Sequence, residues 1–303
     1  MKTTLTYATR RSPLALAQCR AFVRDLRSAV PTLTLASLVE LQVVTTGDRI
    51  QDRALAEVGG KGLFVKEIEE ALLDKRADFA VHSMKDVPGQ LAPGLVLACV
   101  PKREDPRDVL VAPRHGTLDN LPPGARVGTS SLRRAAALGA YRPDLLVQML
   151  RGNVDTRLRK VDAGECDAIV LANAGLVRLG LEERATQLLS VQVSLPAPGQ
   201  GALGIECRET DSRTRALVER LHDLDAATCV AAERGVLVAV GGDCKTPLGA
   251  YAQHTGDTMY LRAFVAAADA KSVRQAERTV PWPTTEVDAH AVGLALGALL
   301  RTG

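Results

Sequence analysis

The sequence predicts an α/β protein: two similar α/β lobes followed by a small C-terminal α+β domain. Three observations predict it. Strand-like runs alternate with helical stripes twice over, in short order, which argues for parallel pairing. The two runs echo one another, L-D-K-R-A-D-F-A-V from Leu73 against V-D-A-G-E-C-D-A-I-V from Val161. From about residue 222 the order changes to helices and then three strands joined by G-D and A-D turns.

Each element has a local reason. Ser12-Pro13 reads as an N-cap followed by proline at the first helical position, opening a helix Leu14–Val30 that Pro31 ends. Leu35–Val44 reads as a strand, and Asp48–Gly62 as a polar loop. Phe64, Ile68 and Leu72 form one apolar stripe on a helix Leu63–Leu73, and the strand Asp78–Ser83 follows at once. The second run has strands at Arg126–Thr129, Leu145–Leu150 and Asp167–Ala172, each followed by a helical stretch. Helices Ser212–Leu221 and Ala227–Val238 lead to strands Gly249–His254, Met259–Ala266 and Val273–Val280, and Val287–Leu300 closes as a helix.

The 303 residues are 46% hydrophobic and 24% charged, the profile of a globular protein large enough to bury its own cores. Aromatics are 3%, so those cores are aliphatic. A net charge of +3 does not by itself argue for nucleic acid. The first residues carry no apolar signal-peptide region, and no segment approaches a membrane span. The expectation is a cytoplasmic protein without membrane attachment. None of the six cysteines lies in a C-x-x-C pair or at metal-ligand spacing from a histidine, so no metal is expected. Most read as buried thiols. Cys244, in V-G-G-D-C-K-T-P-L-G, does not, because its neighbours are Gly, Asp, Lys and Pro.

Three loops concentrate unusual chemistry. In V-H-S-M-K-D-V-P, Lys85 and Asp86 are adjacent at a strand end; the carboxylate can stabilise a cation or shuttle a proton, and a solvated charged turn is the plainer alternative. V-G-T-S-S-L-R-R and R-G-N-V-D-T-R-L-R-K place small polar residues and then arginines at helix starts, where anions bind. From Arg126 to Arg178 there are nine basic and five acidic residues, with the surplus at loop–helix junctions. A basic solvated surface is the alternative there. Small polyanions rank above nucleic acid because no aromatics are interleaved for base stacking. The third loop is the Cys244 turn. Lys245 and glycine N–H groups could make it electropositive, but no base stands beside it. G-G-K-G-L-F is no phosphate loop, and L-P-A-P-G-Q-G-A reads as a stiff connector returning the chain to the first lobe.

Taken in order, A-T-R-R-S-P-L-A-L-A-Q, V-G-G-K-G-L-F-V-K-E, A-V-H-S-M-K-D-V-P, R-E-D-P-R-D, V-G-T-S-S-L-R-R, L-R-G-N-V-D-T-R-L, L-P-A-P-G-Q-G-A and G-G-D-C-K-T-P-L-G resemble the porphobilinogen deaminase (hydroxymethylbilane synthase) family over nearly the whole chain. The resemblance implies two periplasmic-binding-protein-like α/β lobes with a cleft between them: residues 1–100 with 200–218, and residues 105–195. Residues 222–303 would be the α+β domain that carries the cofactor cysteine. It implies a dipyrromethane cofactor held by a thioether on Cys244, so that the thiol is an anchor and needs no base. Four porphobilinogens then add head to tail, each losing ammonia, and hydrolysis releases linear hydroxymethylbilane.

Site residues follow from the same resemblance. Asp86, with Lys85 and Arg10, is the expected catalytic group, placed to stabilise the cation left when ammonia departs. Ser83, Lys85, Asp86, Thr129, Ser130, Ser131, Arg133 and Arg134 are expected at the cofactor. Arg10, Ser12, Lys61, Phe64, Arg151, Arg157, Arg178 and Gln200 are expected at the substrate carboxylates. Arg49–Gly62 is the expected lid. Glu57 stands where the family often has Lys, and Asp243 where many members have Gly. The expected protein is a monomer acting on a small molecule, with no nucleic-acid partner. The competing reading is a two-lobed module that captures an anionic solute without chemistry.

Overall fold

A computed structural model describes residues 4–49, 62–242, 246–267 and 273–301. In chain order the strands are β1 Leu5–Arg10, β2 Leu38–Val43, β3 Phe79–Ser83, β4 Leu95–Cys99, β5 Asp108–Val111, β6 Arg126–Gly128 and β7 Leu146–Gln148. They continue as β8 Ala168–Ala172, β9 Gln187–Leu188, β10 Leu203–Arg208, β11 Leu248–Thr255, β12 Thr258–Ala266 and β13 Val273–Pro281. The helices are α1 Pro13–Ala29, α2 Thr46–Arg49, α3 Lys66–Leu73, α4 Leu132–Tyr141, α5 Val154–Asp162, α6 Asn173–Leu179, α7 Ser212–Val218, α8 Leu224–Val240 and α9 Glu286–Arg301. The chain divides into two compact units, Met1–Arg103 with Ala202–Ala227, and Glu104–Gly201 with Thr228–Gly303.

The first unit is built on a five-stranded sheet of order β2-β1-β3-β10-β4. β1 pairs in parallel with β2 and β3, as the strand–helix–strand pattern predicts, while β10 runs antiparallel to β3 and β4. α1 starts as the sequence indicates: the Ser12 hydroxyl accepts from the Ala15 N–H at 3.3 Å, and Pro13 takes the first turn. Its Cys19, Phe22, Val23 and Leu26 pack on Leu5, Phe79, Val81 and Ile205 of the sheet. Each such side chain contributes about 1.5–3 kcal/mol by leaving water. α3 covers the other face with Ile68 and Leu72, packed against Ala8, Ala80 and Leu95. It starts at Lys66, not Leu63, because a turn closed by Val65 N–H to Gly62 O precedes it.

The second unit repeats the plan. Its sheet has the order β7-β6-β8-β5-β9, with β6 parallel to β7 and β8, and β5 antiparallel to β8 and β9. The two sheets therefore share one design: three parallel strands, then an antiparallel strand, then an edge. The same unit holds a three-stranded antiparallel sheet, β11-β12-β13, against α8 and α9. A Cβ on Gly293 would collide with the Ala232 carbonyl, and one on Gly235 with the His290 carbonyl, so glycine is what allows α8 and α9 to pack this closely. His254 lies on β11, and its ring stacks on Trp282 at 3.6 Å. The α/β lobes and the small α+β part match the expected fold class. No helix among the described residues is long and apolar enough to cross a membrane.

Candidate active site

Parallel α/β sheets bind ligands at the carboxyl ends of their strands. In the first unit, β1 ends at Arg10 and β3 at Ser83, and a one-turn helix, Met84–Asp86, continues from β3. These ends bring Arg10, Gln18, Phe64, His82, Ser83 and Asp86 around one small crevice. Nη1 of Arg10 lies 3.6 Å from Asp86 Oδ2, and both side chains are partly exposed. The Arg10 guanidinium rests 4.2 Å above the Phe64 ring. Its other edge is held by Asp48, with Nε at 3.2 and 3.3 Å from the two carboxylate oxygens and Nη2 bonded as well. Burial opposes ionisation of Asp48, but Arg10 and the Thr45 hydroxyl override it and hold the carboxyl below its ordinary value. The Ser83 hydroxyl donates to Gln18 Oε1 at 2.9 Å, and Lys85 is half-buried beside Asp86 in the same turn.

Gln18 and Asp48 are among the residues here that the sequence did not single out. Gln18 carried a signal: it is in step with Phe22 and Leu26 on the buried stripe of α1, where a polar residue needs a partner. Asp48 ends T-T-G-D, and nothing in the pattern pairs it with a residue 38 positions earlier.

The second unit has the same geometry. Thr129 follows β6, Arg151 lies just beyond β7, and α6 with Arg178 follows β8. Ser131 caps α4, its hydroxyl accepting from the Arg134 N–H at 3.4 Å, and the Thr129 hydroxyl accepts from the Ser131 N–H at 3.1 Å. Arg133 and Arg134 are buried and share Asp108, at 2.8 and 2.7 Å. Ser194 and Gln200 also donate to that carboxylate, at 2.7 and 2.9 Å, and Arg133 reaches the Leu195 carbonyl. Burial disfavours both kinds of charge here. At Asp108 the two guanidiniums win and hold the carboxyl well below its usual range. At Arg133 burial wins and lowers the pKa, Asp108 raising it and Arg134 lowering it further. Arg133, Arg134 and Gln200, expected from the resemblance at the cofactor and substrate, thus sit in the interior around Asp108, a residue the sequence reading passed over.

Arg157 is placed differently. Its Nε donates to the Gly152 carbonyl at 2.8 Å and its Nη2 to the Ser130 hydroxyl at 3.0 Å. Burial, then the like charges of Arg134 and Arg151, push its pKa down to about 10. Arg178 bonds the Gly201 carbonyl at 2.6 Å, and burial takes it to about 10 despite Glu104. Lys61 and Cys244 lie outside the described residues, as does Glu57 and all of the expected lid between residues 50 and 61. The Ser12 hydroxyl oxygen caps α1.

The family model for the porphobilinogen deaminase dipyrromethane cofactor binding domain matches residues 5–216, and that for the porphobilinogen deaminase C-terminal domain matches residues 227–302. The chain belongs to the porphobilinogen deaminase family. It is 60% identical over 303 residues to a porphobilinogen deaminase of Sorangium cellulosum (strain So ce56), covering 100% of both chains. It is 51% identical over 297 residues to one of Syntrophotalea carbinolica, covering 98% of this chain and 93% of that protein. Among solved structures, the methionine binding protein MetQ aligns with a TM-score of 0.45 at 10% identity, covering 73% of this chain and 91% of that one.

The residues fit the cofactor of the porphobilinogen deaminase family. Dipyrromethane carries carboxylates on each pyrrole. Arg157 is a half-buried cation that burial and like charges leave short of compensation, which is the setting a bound carboxylate would relieve. Hydroxyls at Thr129, Ser130 and Ser131 stand in the same loop.

Proposed function

We infer that the chain is a hydroxymethylbilane synthase, a transferase of porphyrin (tetrapyrrole) biosynthesis. It joins four porphobilinogens head to tail with loss of four ammonia and releases the linear product by hydrolysis. The observation that carries the residue assignment is the Arg10–Asp86 pair near the ends of β1 and β3: a partly exposed carboxylate paired with an arginine beside a small crevice. When bound, the dipyrromethane supplies the primer from which the product chain grows.

The residues divide the work. Asp86 stabilises the positive charge that appears as ammonia leaves, and takes the proton released when the pyrrole ring regains aromaticity. Preorganised charge of this kind contributes several kcal/mol to a barrier. Arg10 and Lys85 orient Asp86 and balance its charge. Arg151, Arg157 and Arg178 take the carboxylates of the ligands, with Thr129, Ser130 and Ser131 adding hydrogen bonds. Arg133 and Arg134, fixed by Asp108, supply further positive charge and order the α4 cap. Cys244 is the proposed anchor for the cofactor, and residues 222–303 the domain that presents it. Cys19, Cys99, Cys166, Cys207 and Cys229 are buried free thiols, which supports a reducing, cytoplasmic setting. In this reading the chain works as a monomer on a small-molecule substrate.

Ammonia and hydroxymethylbilane formation from porphobilinogen tests the reading. Asp86→Asn should keep the covalent adduct on the protein and lose at least about 100-fold in kcat, the scale of one general acid–base group. An Asp86→Asn enzyme with unchanged kcat would remove Asp86 from the chemistry, and a protein that releases no ammonia would leave only the anion-capturing module.

A further inference from the structure

We infer that Asp48 is a positioning residue for the reaction: it holds one edge of Arg10 so that only the Nη1 side of the guanidinium is presented to Asp86. This rests on the assignment of Arg10 and Asp86 to the active site.

Arg10 carries its donors on two edges. The Nε–Nη2 edge is taken by Asp48 in a fork, while Nη1 faces Asp86 at 3.6 Å. Such a fork fixes the plane of the guanidinium as well as its position. Asp48 is itself locked. Thr45 and Asp48 form a reciprocal capping box: Asp48 Oδ2 accepts from the Thr45 N–H at 3.3 Å and hydroxyl at 2.8 Å, and the Thr45 hydroxyl accepts from the Asp48 N–H at 3.3 Å. The turn is pinned to the start of α3. Thr46 donates to Glu67 Oε1 from its N–H at 2.8 Å and its hydroxyl at 2.6 Å, and the Gly47 N–H donates to the Leu63 carbonyl at 2.8 Å. Phe64 then lies under the guanidinium at 4.2 Å. The short turn after β2 therefore reaches the end of β1 and sets the angle of the arginine paired with Asp86. It also withholds the Nε–Nη2 edge from substrate carboxylates.

Asp48→Asn keeps a carbonyl acceptor for Thr45 but loses the charged fork. It should lower kcat by about tenfold, less than the ~100-fold of a full 1 Å misplacement, without raising KM, because the released edge adds a carboxylate donor. In the Arg10→Ala background the same substitution should change kcat less than twofold. The Nε–H resonance of Arg10, identified by its absence in Arg10→Lys, should be visible in the wild type and lost to solvent exchange in Asp48→Asn. Thr45→Val, isosteric and at a buried position, should shift kcat in the same direction by less, and serves if Asp48→Asn does not fold. An Asp48→Asn effect that persists in full without Arg10, or a fall in thermal stability with kcat unchanged, would overturn the inference. If Arg10→Ala and Asp86→Asn both leave kcat intact, the site assignment fails and this inference with it. If they lower kcat and Asp48→Asn does not, only the inference fails.

Discussion

Replacing Asp108 by Asn should destabilise the protein more than any other single charge removal described above. Asp108 is fully buried and receives five hydrogen bonds, from Arg133 Nη1, Arg134 Nε and Nη2, the Ser194 hydroxyl and Gln200 Nε2. The variant leaves two guanidiniums, 4% and 7% exposed, without a carboxylate. Breaking a buried charge pair from one side costs about 3–5 kcal/mol. At ~2 °C per kcal/mol for a chain of this size, the melting temperature should fall by about 6–10 °C. The pH dependence has a definite sign. The Asp108 carboxyl is held below its ordinary 3.8 in the folded chain, so its contribution is complete above that value and drains away as pH falls below it. The gap between wild type and Asp108→Asn should therefore be widest near neutrality and narrow on acidification. Thermal denaturation followed by far-ultraviolet circular dichroism from pH 7 to pH 3 measures both. A fall of under 2 °C at pH 7, or a gap that widens in acid, would refute the view that Asp108 compensates the two buried guanidiniums.

Arg157→Gln should act in the opposite sense on stability and binding. Because burial and neighbouring arginines lower the Arg157 pKa to about 10, the folded chain bears a cost for this charge below that pH. The variant's melting temperature, measured without cofactor, should not drop, while kcat/KM for porphobilinogen falls at least tenfold, to be read by steady-state kinetics. Glu233→Ala should be destabilising in urea titration by ~2–4 kcal/mol, because it strips the acceptor from two buried N–H groups, Gly199 at 2.7 Å and Ala252 at 2.9 Å. Glu233→Gln should recover part of that loss, since one oxygen remains.

How much of this was legible in the sequence differs from element to element. The parallel strands β1, β2, β3 and β6, β7, β8 could be read because strand-like runs alternate with helical stripes, and α1, α4 and α5 open on side-chain caps. β5 and β10 could not. Asp108–Val111 is a four-residue buried run with no alternation, and Leu203–Arg208 contains a glycine and a buried glutamate. Glu206 is tolerated there because His82 lies 2.9 Å away, a partner 124 positions distant that no local pattern can reveal. The same limit applies at the site. Helix-start hydroxyls and arginines suggested an anion site, and Arg157 is a cation whose pKa burial and like charges lower. That Arg133 and Arg134 are paired in the interior depended on Asp108, whose place in R-E-D-P-R-D looks no different from that of Asp105, an aspartate paired near the surface with Arg107. Gln18 and Glu233 were within reach, as polar residues on otherwise apolar helical stripes.

The most direct measurement is the intact mass of the purified protein under denaturing conditions, followed by peptide mapping. The account predicts an excess equal to two porphobilinogens less two ammonias, located on the peptide that contains Cys244, and absent from Cys244→Ser. An unmodified protein that takes up no mass when incubated with porphobilinogen or preformed hydroxymethylbilane, or an adduct that survives Cys244→Ser, would contradict it.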